Sequence, residues 1–334
     1  MHAGRRYNIK EFLLWTRTSV IMLFFISLIP TLIYQIFGWK WIAIPWMPVA
    51  LVGTAAAFIA GFKNTQTYNR MWEARQIWGG IVNSSRTWGI MVKDFIRSST
   101  TESEKRLHHE LIYRHFAWLT ALRFQLRESK EWENIKSKSY NIEYKRLYKT
   151  PEWESSLEDE LIPFLNEKER LYILTKKNKA TQLIAFQSKR LKELNKDRQL
   201  ENLHYVEMQN LLKELYEHQG KSERIKNFPY PRQFASINLY FIRLLIYLLP
   251  FGMLEEFSSL GTHGAWLTIP FSVIVGWVFT TLEQIGESTE NPFEGGPNDI
   301  PITSLSKTIE IDLREMLDET DLPLPITPVN KILM

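Results

Sequence analysis

The sequence contains no cysteine, and its charges almost cancel. Without cysteine, the 334-residue chain has no disulfide bonds, no thiolate metal sites and no cysteine nucleophile. Its 41 Lys and Arg side chains slightly outnumber its 37 Asp and Glu side chains, so the formal net charge is only +4. So small an excess lacks the strong basic footprint of a nucleic-acid-binding protein. We therefore expect no nucleic-acid partner.

The signature motifs of common enzyme classes are missing as well. His109 and Glu110 begin a zinc-protease pattern, but Tyr113 stands where that pattern needs its second histidine. The chain also lacks a Walker phosphate-binding loop, a G-x-G-x-x-G dinucleotide-binding loop and a G-x-S-x-G nucleophile elbow. We expect no catalytic residue, no bound metal and no cofactor, so an enzyme is the least favoured class of protein.

Long apolar runs lie near both ends of the sequence. Residues 18–37 form one run of about 20 residues, which suffices to cross about 30 Å of hydrocarbon as a helix. A cleaved signal peptide is the alternative, but the run is too long and no small-residue cleavage site follows it. Residues 41–62, 237–254 and 265–282 predict three further spans. Tryptophans, which favour membrane interfaces, occur at the ends of these runs: Trp39, Trp41, Trp46 and Trp266.

The charged middle of the chain predicts a large helical body outside the membrane. A capping box at Thr101 and Glu104 precedes apolar residues at helical spacing, and further helices are expected near residues 155–175, 180–195 and 201–219. Lys and Arg flank the spans so that both termini and the body are expected in the cytoplasm, with the chain in the cell inner membrane. The prediction is an all-α membrane protein divided into a cytosolic N-terminal segment (1–17), transmembrane helices 1 and 2 (18–62), a cytosolic helical body (63–231), transmembrane helices 3 and 4 (232–283) and a cytosolic C-terminal segment (284–334).

The second span continues without a helix-breaking residue into a polar and aromatic stretch, so one helix is expected to leave the membrane and enter the body. Small residues recur on one face of the span, where they allow close helix packing: Gly53, Ala56, Ala57, Ala60 and Gly61. The opposite face carries Leu51, Ala55, Phe58 and Phe62. This opposite face either meets lipid or lines a hydrophobic constriction, which can gate a pore by losing its water.

Three other sets of polar residues allow more than one interpretation. The stretch after the second span is either a solvated helix with an Arg70–Glu73 pair or a helix buried in an assembly, which its tryptophans favour. Arg243, in the third span, is interpreted as a member of a structural ion pair rather than as an ion-binding group. Glu294 and Asp299 lie in a loop that is interpreted as a packed turn, because it offers too few oxygen ligands for calcium.

Three motifs in this sequence are similar to those of the bestrophin family, in particular of its bacterial members. The first covers residues 61–79 together with Ser85-Arg86, and its characteristic residues are Asn64, Tyr68, Arg70, Trp72, Glu73, Arg75 and Trp78. The second is Leu248-Leu249-Pro250-Phe251-Gly252, and the third is Asn291-Pro292-Phe293 followed by Pro297-Asn298-Asp299-Ile300-Pro301. Their order and spacing resemble the family over residues 5–320, which is nearly the whole chain.

The resemblance implies a homopentameric ion channel around a central pore, with four transmembrane helices per subunit and a large helical cytosolic vestibule. The second helix of each subunit would line a hydrophobic neck at Leu51, Ala55 and Phe58, with Met47 above or Ile59 beside them. The implied partners are further copies of the chain in the pentamer, the lipid bilayer and small monovalent ions.

The resemblance leaves the permeant ion and the role of calcium open, and it implies a position for the cytosolic exit. The family includes anion- and cation-conducting members, and a hydrophobic neck has no charge to decide between chloride and sodium. A narrow cytosolic exit is implied near Leu200. The acidic run of the calcium-activated animal members is sparse here, so calcium activation is left open. The alternative function is a membrane-anchored scaffold or sensor, whose body binds a partner without conducting ions.

Overall fold

The computed structural model consists of α-helices joined by short turns. It describes every residue except Thr262. The side chains of Ser139 and Tyr144 are also outside the description. The helices are α1 (Ile9–Ile36), α2 (Trp46–Phe95), α3 (Thr101–Arg127), α4 (Ser139–Tyr144), α5 (Pro151–Glu154), α6 (Leu157–Leu161), α7 (Glu167–Leu174), α8 (Lys179–Lys196), α9 (Asn202–Asn227), α10 (Arg232–Ser258), α11 (Thr268–Thr289) and α12 (Ile302–Met316). The described residues contain no β-strand, so the predicted all-α fold is confirmed.

Four helical segments are long and apolar enough to cross a membrane, as predicted. They comprise α1, α10, α11 with the 3-10 turn before it, and a segment that contains α2. The helix α1 begins at Ile9, nine residues before the predicted span. The four helices share an apolar core in which Val49, Ala56 and Ala60 of α2 lie with Leu245 of α10. The small side chains on α2 let α10 pack closely against it.

The helix α2 joins the membrane part of the chain to its polar body. It runs unbroken for 50 residues, which makes it about 75 Å long at 1.5 Å per residue. Its second half enters the core of the body, where Trp78, Ile81 and Trp88 are fully buried. The expectation of one continuous helix is therefore confirmed, and a single rigid element connects the two parts.

The body forms around this second half of α2 from α3, α8, α9 and α12. The predicted capping box of α3 is wrong by one residue. Thr100 has the extended backbone that a capping residue needs, and its Oγ1 accepts a hydrogen bond from Ser103 N at 3.2 Å. Thr101 is already helical, and Glu104 Oε2 accepts a hydrogen bond from Ser98 N instead. Of the other predicted helices, the region 155–175 contains two short ones, and α9 extends to Asn227.

The segment after α12 returns to the beginning of the chain. Leu333 N donates to Met1 O at 2.8 Å, and Ala3 N donates to Lys331 O at 2.7 Å. Ser304 N, in the first turn of α12, donates to Met334 O at 2.7 Å. Residues 1–4 are therefore held against the C-terminal segment beside the loop of residues 291–301.

Candidate functional site

One face of the apolar half of α2 has no partner within the chain. The exposed fractions of Phe58 and Leu51 are 77% and 65%, and Met47, Ala55 and Phe62 are exposed as well. Ile59 is half-buried. The predicted division into a packed and an unpacked face therefore holds for most residues. It is wrong for Ala57 and Gly61, which were assigned to the packed face and are exposed.

The helical phase of this face follows from the residues that are buried. At 100° per residue, Phe58 lies about 200° from both Ala56 and Ala60, so it points directly away from the packed side. Ala55 and Ile59 lie only about 100° from a buried alanine, so they flank the face.

Two further residues belong near the centre of the exposed face, because Thr54 and Phe62 lie four residues before and after Phe58. Thr54 Oγ1 donates to Ala50 O at 2.9 Å, so its hydroxyl is satisfied within the helix. Neither Thr54 nor Phe62 is among the neck residues predicted from the sequence. The spacing of the buried alanines was the signal that could have found both.

A buried ion pair marks the point where the apolar half of α2 ends. Lys63 Nζ lies 2.7 Å from Glu283 Oε1 of α11, and the two side chains are 3% and 6% exposed. Asn238 Nδ2 of α10 donates to the other carboxylate oxygen of Glu283. Asn64 Nδ2 also donates to Leu282 O at 3.1 Å. These contacts fix the rotation of α2 against α10 and α11 and thereby the direction of its exposed face.

The motif residues after Lys63 connect α2 to the end of α9. Arg70 donates from Nη2 to the backbone carbonyls of Ile225 and Phe228. Glu73 forms its ion pair with Arg224 of α9. The Arg70–Glu73 pair of the solvated-helix alternative is not formed, because the guanidinium of Arg70 donates to the unpaired carbonyls at the C-terminal end of α9.

The aromatic residues of the motif occupy two different environments. Trp78 is fully buried in the body. Tyr68 and Trp72 stack with ring centroids 6.4 Å apart, and the Arg75 guanidinium lies 5.7 Å from the Trp72 ring. Tyr68 and Trp72 are exposed in the single chain. Of the two tryptophans expected to be buried, only Trp78 is covered by the chain itself.

The position expected for the cytosolic exit needs correction. Leu200 is 2% exposed and packs into the core of the body, so its side chain does not line an opening. Three residues later, in the first turn of α9, Leu203 is 79% exposed.

Arg243 of α10 also differs from expectation, since it is exposed and forms no ion pair within the described chain. The acidic partner that was expected for Arg243 is therefore not found within the described chain.

The loop of residues 291–301 packs against the body, as expected for a turn. Arg127 Nη1 of α3 lies 3.1 Å from Asp299 Oδ2, and Asn134 N donates to Glu294 Oε2 at 3.0 Å. Burial, reinforced by the charge of Asp299, raises the pKa of Glu294 well above its usual value. No cluster of three or more potential metal ligands occurs in the described part of the chain. The carboxylates of Glu294 and Asp299 take part in the contacts that pack this loop against the body.

One hydrogen-bonded serine–histidine pair lies in the body, but it is closed to solvent. His115 Nε2 is 2.9 Å from Ser85 Oγ, and both residues are buried. Burial lowers the pKa of His115 to about 3, so the imidazole is neutral at physiological pH. A substrate could not reach this pair, which therefore serves to satisfy polar groups in the core.

Comparison with known proteins agrees with this architecture. The model of the family described as bacterial and fungal bestrophin proteins matches residues 12–315. The voltage-dependent anion channel-forming protein YneE of Escherichia coli K12 is 25% identical over 281 residues, which cover 84% of this chain and 80% of YneE. A protein of the same description from Mesorhizobium japonicum is 24% identical and covers 94% of both chains.

The fold comparison leads to the same group of proteins. The crystal structure of a bacterial bestrophin homologue from Klebsiella pneumoniae superposes with a TM-score of 0.75 at 23% sequence identity. The match covers 90% of this chain and 97% of the Klebsiella chain. Because the family model spans most of the sequence and the fold agrees over nearly its full length, the chain is a membrane protein of the bestrophin family.

Proposed function

We propose that this protein is an ion channel in which α2 of each subunit of a homopentamer lines a hydrophobic neck. The observation that carries the proposal is the exposed apolar face of α2 around Phe58. This face belongs to a helix whose other side is tightly packed and whose rotation the Lys63–Glu283 pair fixes. The names of the curated relatives, which describe anion channel-forming proteins, support the same function.

The neck consists of side chains that recur along the centre of this face. Leu51, Thr54, Phe58 and Phe62 form the constriction, with Met47 at one end and Ala55 and Ile59 at its flanks. A ring of apolar side chains binds water poorly, so a narrow neck empties when it closes and conducts when it wets. Opening and closing of the channel therefore need only a small change in the radius of the neck at Phe58.

The remaining functional parts follow from the proposed orientation. The body and both termini lie in the cytoplasm of a cell whose inner membrane holds the four helices. The permeant ion passes from the neck through a vestibule inside the body and leaves at Leu203, whose exposed side chain replaces Leu200 as the exit residue. The permeant species is a small monovalent ion, chloride or sodium, and the uncharged neck does not discriminate between them.

Single-channel recording in planar bilayers tests this function with a matched pair of variants. Phe58→Ala widens the neck and raises conductance severalfold. Phe25→Ala removes the same side chain from α1, where it is exposed on a different helix, and leaves conductance unchanged. Equal conductance in the two variants and the parent protein contradicts the proposed neck. The absence of current under all conditions favours a membrane-anchored scaffold or sensor.

A further inference from the structure

An apolar cavity of about 390 Å³ lies where α1 and α11 meet the polar part of the chain. Phe12 and Trp15 of α1, Met71 of α2 and Ile285 of α11 line it. Its size falls in the range of about 300–1,000 Å³ that is typical of ligand sites. This cavity lies at the side of α2 and is separate from the neck.

The position of the cavity places it at the membrane surface. Phe12 and Trp15 precede the apolar run of α1, and Ile285 lies in the last turns of α11, where that membrane helix ends. The lining of the cavity therefore lies at the depth where lipid headgroups give way to acyl chains. Aromatic side chains such as Trp15 favour this depth.

The N-terminal segment adds unpaired positive charge beside the cavity. Arg5, Arg6 and Lys10 are exposed and form no ion pair within the described chain. Tyr7, which lies between them in the sequence, lines the cavity, so these charges are close in the chain to its wall. Basic side chains at a membrane surface attract anionic lipid headgroups.

From these observations we infer that the cavity binds an anionic phospholipid of the surrounding bilayer. An acyl chain lies against Phe12, Trp15 and Ile285, while the phosphate group contacts the basic side chains of the N-terminal segment. The charge complementarity selects an anionic over a zwitterionic lipid, and the apolar wall selects a lipid over a free phosphate. The site is independent of ion conduction.

Bound lipid would also contact the loop of residues 291–301. Tyr7 Oη donates to Asn298 Oδ1 at 3.0 Å, and Asn298 Nδ2 donates to Ser288 Oγ at 3.3 Å. These hydrogen bonds form a polar border to the cavity and connect its N-terminal wall to α11. Lipid binding therefore stabilises the contact between the N-terminal segment and α11.

Native mass spectrometry of the full-length protein in detergent, with phosphatidylglycerol or phosphatidylcholine added, tests the inference without recording current. The parent protein retains phosphatidylglycerol in preference to phosphatidylcholine. The triple variant Arg5→Gln, Arg6→Gln and Lys10→Gln weakens phosphatidylglycerol retention by about ten- to a hundredfold. Ile285→Trp fills the cavity and lowers the retention of both lipids. Added glycerol phosphate does not compete, because it has no acyl chain.

A matched control separates a local site from net charge. Lys105, Lys192 and Lys196 are exposed lysines of the body without ion pairs in the described chain, and replacing all three with glutamine removes the same charge. This control retains the lipid preference. Equal weakening in the two triple variants overturns the inference, as does unchanged retention in Ile285→Trp. Loss of oligomers rather than lipid in Ile285→Trp also overturns it, because a second copy of the chain then covers the cavity.

Discussion

Lys63 Nζ and Glu283 Oε1 lie 2.7 Å apart between α2 and α11, with both side chains buried. Removing one charge leaves the other buried without its opposite charge, and this costs about 3–5 kcal/mol. Lys63→Met therefore lowers the thermal unfolding temperature of the detergent-purified protein. Replacing both residues, Lys63→Met with Glu283→Leu, recovers much of the loss, because a buried pair and apolar side chains are often nearly equivalent.

The exposed pair of Arg106 and Glu102 serves as the control for this prediction. Its side chains are 75% and 79% exposed, and exposed pairs contribute about 0–1 kcal/mol. Arg106→Met should leave the unfolding temperature nearly unchanged. A similar loss in Lys63→Met and Arg106→Met would mean that the Lys63–Glu283 pair does not hold α2 in place.

Arg70 supports the end of α9 through two backbone carbonyls. Arg70→Met leaves the carbonyls of Ile225 and Phe228 without this donor and costs about 1–3 kcal/mol of unfolding free energy. Glu73→Gln removes only the partly exposed pair with Arg224 and costs less than about 1 kcal/mol. Chemical denaturation of the two variants measures the difference. The reverse order of destabilisation would show that Arg70 does not support the end of α9.

Glu294 makes the stability of the folded protein depend on pH. Its pKa is raised in the folded chain, so the folded state keeps the proton at pH values where the unfolded state has lost it. Stability therefore falls as the pH rises from the usual carboxyl pKa towards the raised one. Glu294→Gln stays neutral and avoids this loss.

Thermal unfolding across a pH series measures the effect of Glu294. The stability of Glu294→Gln relative to the parent protein increases with rising pH. A constant difference between Glu294→Gln and the parent protein at all pH values would show that the pKa of Glu294 is the same in the folded and unfolded states.

Leu203 and Leu200 respond differently to the introduction of charge. Leu203→Arg places a cation at the proposed exit and shifts the reversal potential in asymmetric sodium chloride towards the chloride potential, while Leu203→Glu shifts it towards the sodium potential. Leu200→Arg buries a charge in the core of the body and prevents folding, since an unpaired buried charge costs several kcal/mol. Planar-bilayer recording and protein yield distinguish the two positions. Unchanged reversal potentials in both Leu203 variants exclude this residue as the exit.

The sequence predicted the large elements of the fold because their signals are long and regular. Each of the four apolar runs lies largely within one of the segments long and apolar enough to span a membrane. The continuity of α2 could be predicted because this helix contains no proline after Pro48. The loop of residues 291–301 could be predicted to be a packed turn because it has too few acidic groups to bind calcium.

The errors arose where the outcome depends on tertiary contacts. Leu200 and Leu203 are both leucines close to the start of α9, and only the packing of α8 and α9 shows which one is buried. An Arg70–Glu73 pair was left open as an alternative, because Arg70 lies one helical turn from Glu73, yet the guanidinium of Arg70 binds carbonyls of α9 about 150 residues later in the chain. Sequence spacing cannot rank such distant partners.

The central claim is that Phe58 faces an ion pathway, and the absence of cysteine from the chain allows a direct test. Phe58→Cys and Phe25→Cys each introduce one reactive thiol, and a charged, water-soluble methanethiosulfonate reagent is added during bilayer recording. The account predicts that the reagent changes the current of Phe58→Cys within the recording and leaves that of Phe25→Cys unchanged. An unaffected current in Phe58→Cys, in a channel that otherwise conducts, would show that this face of α2 meets lipid or protein.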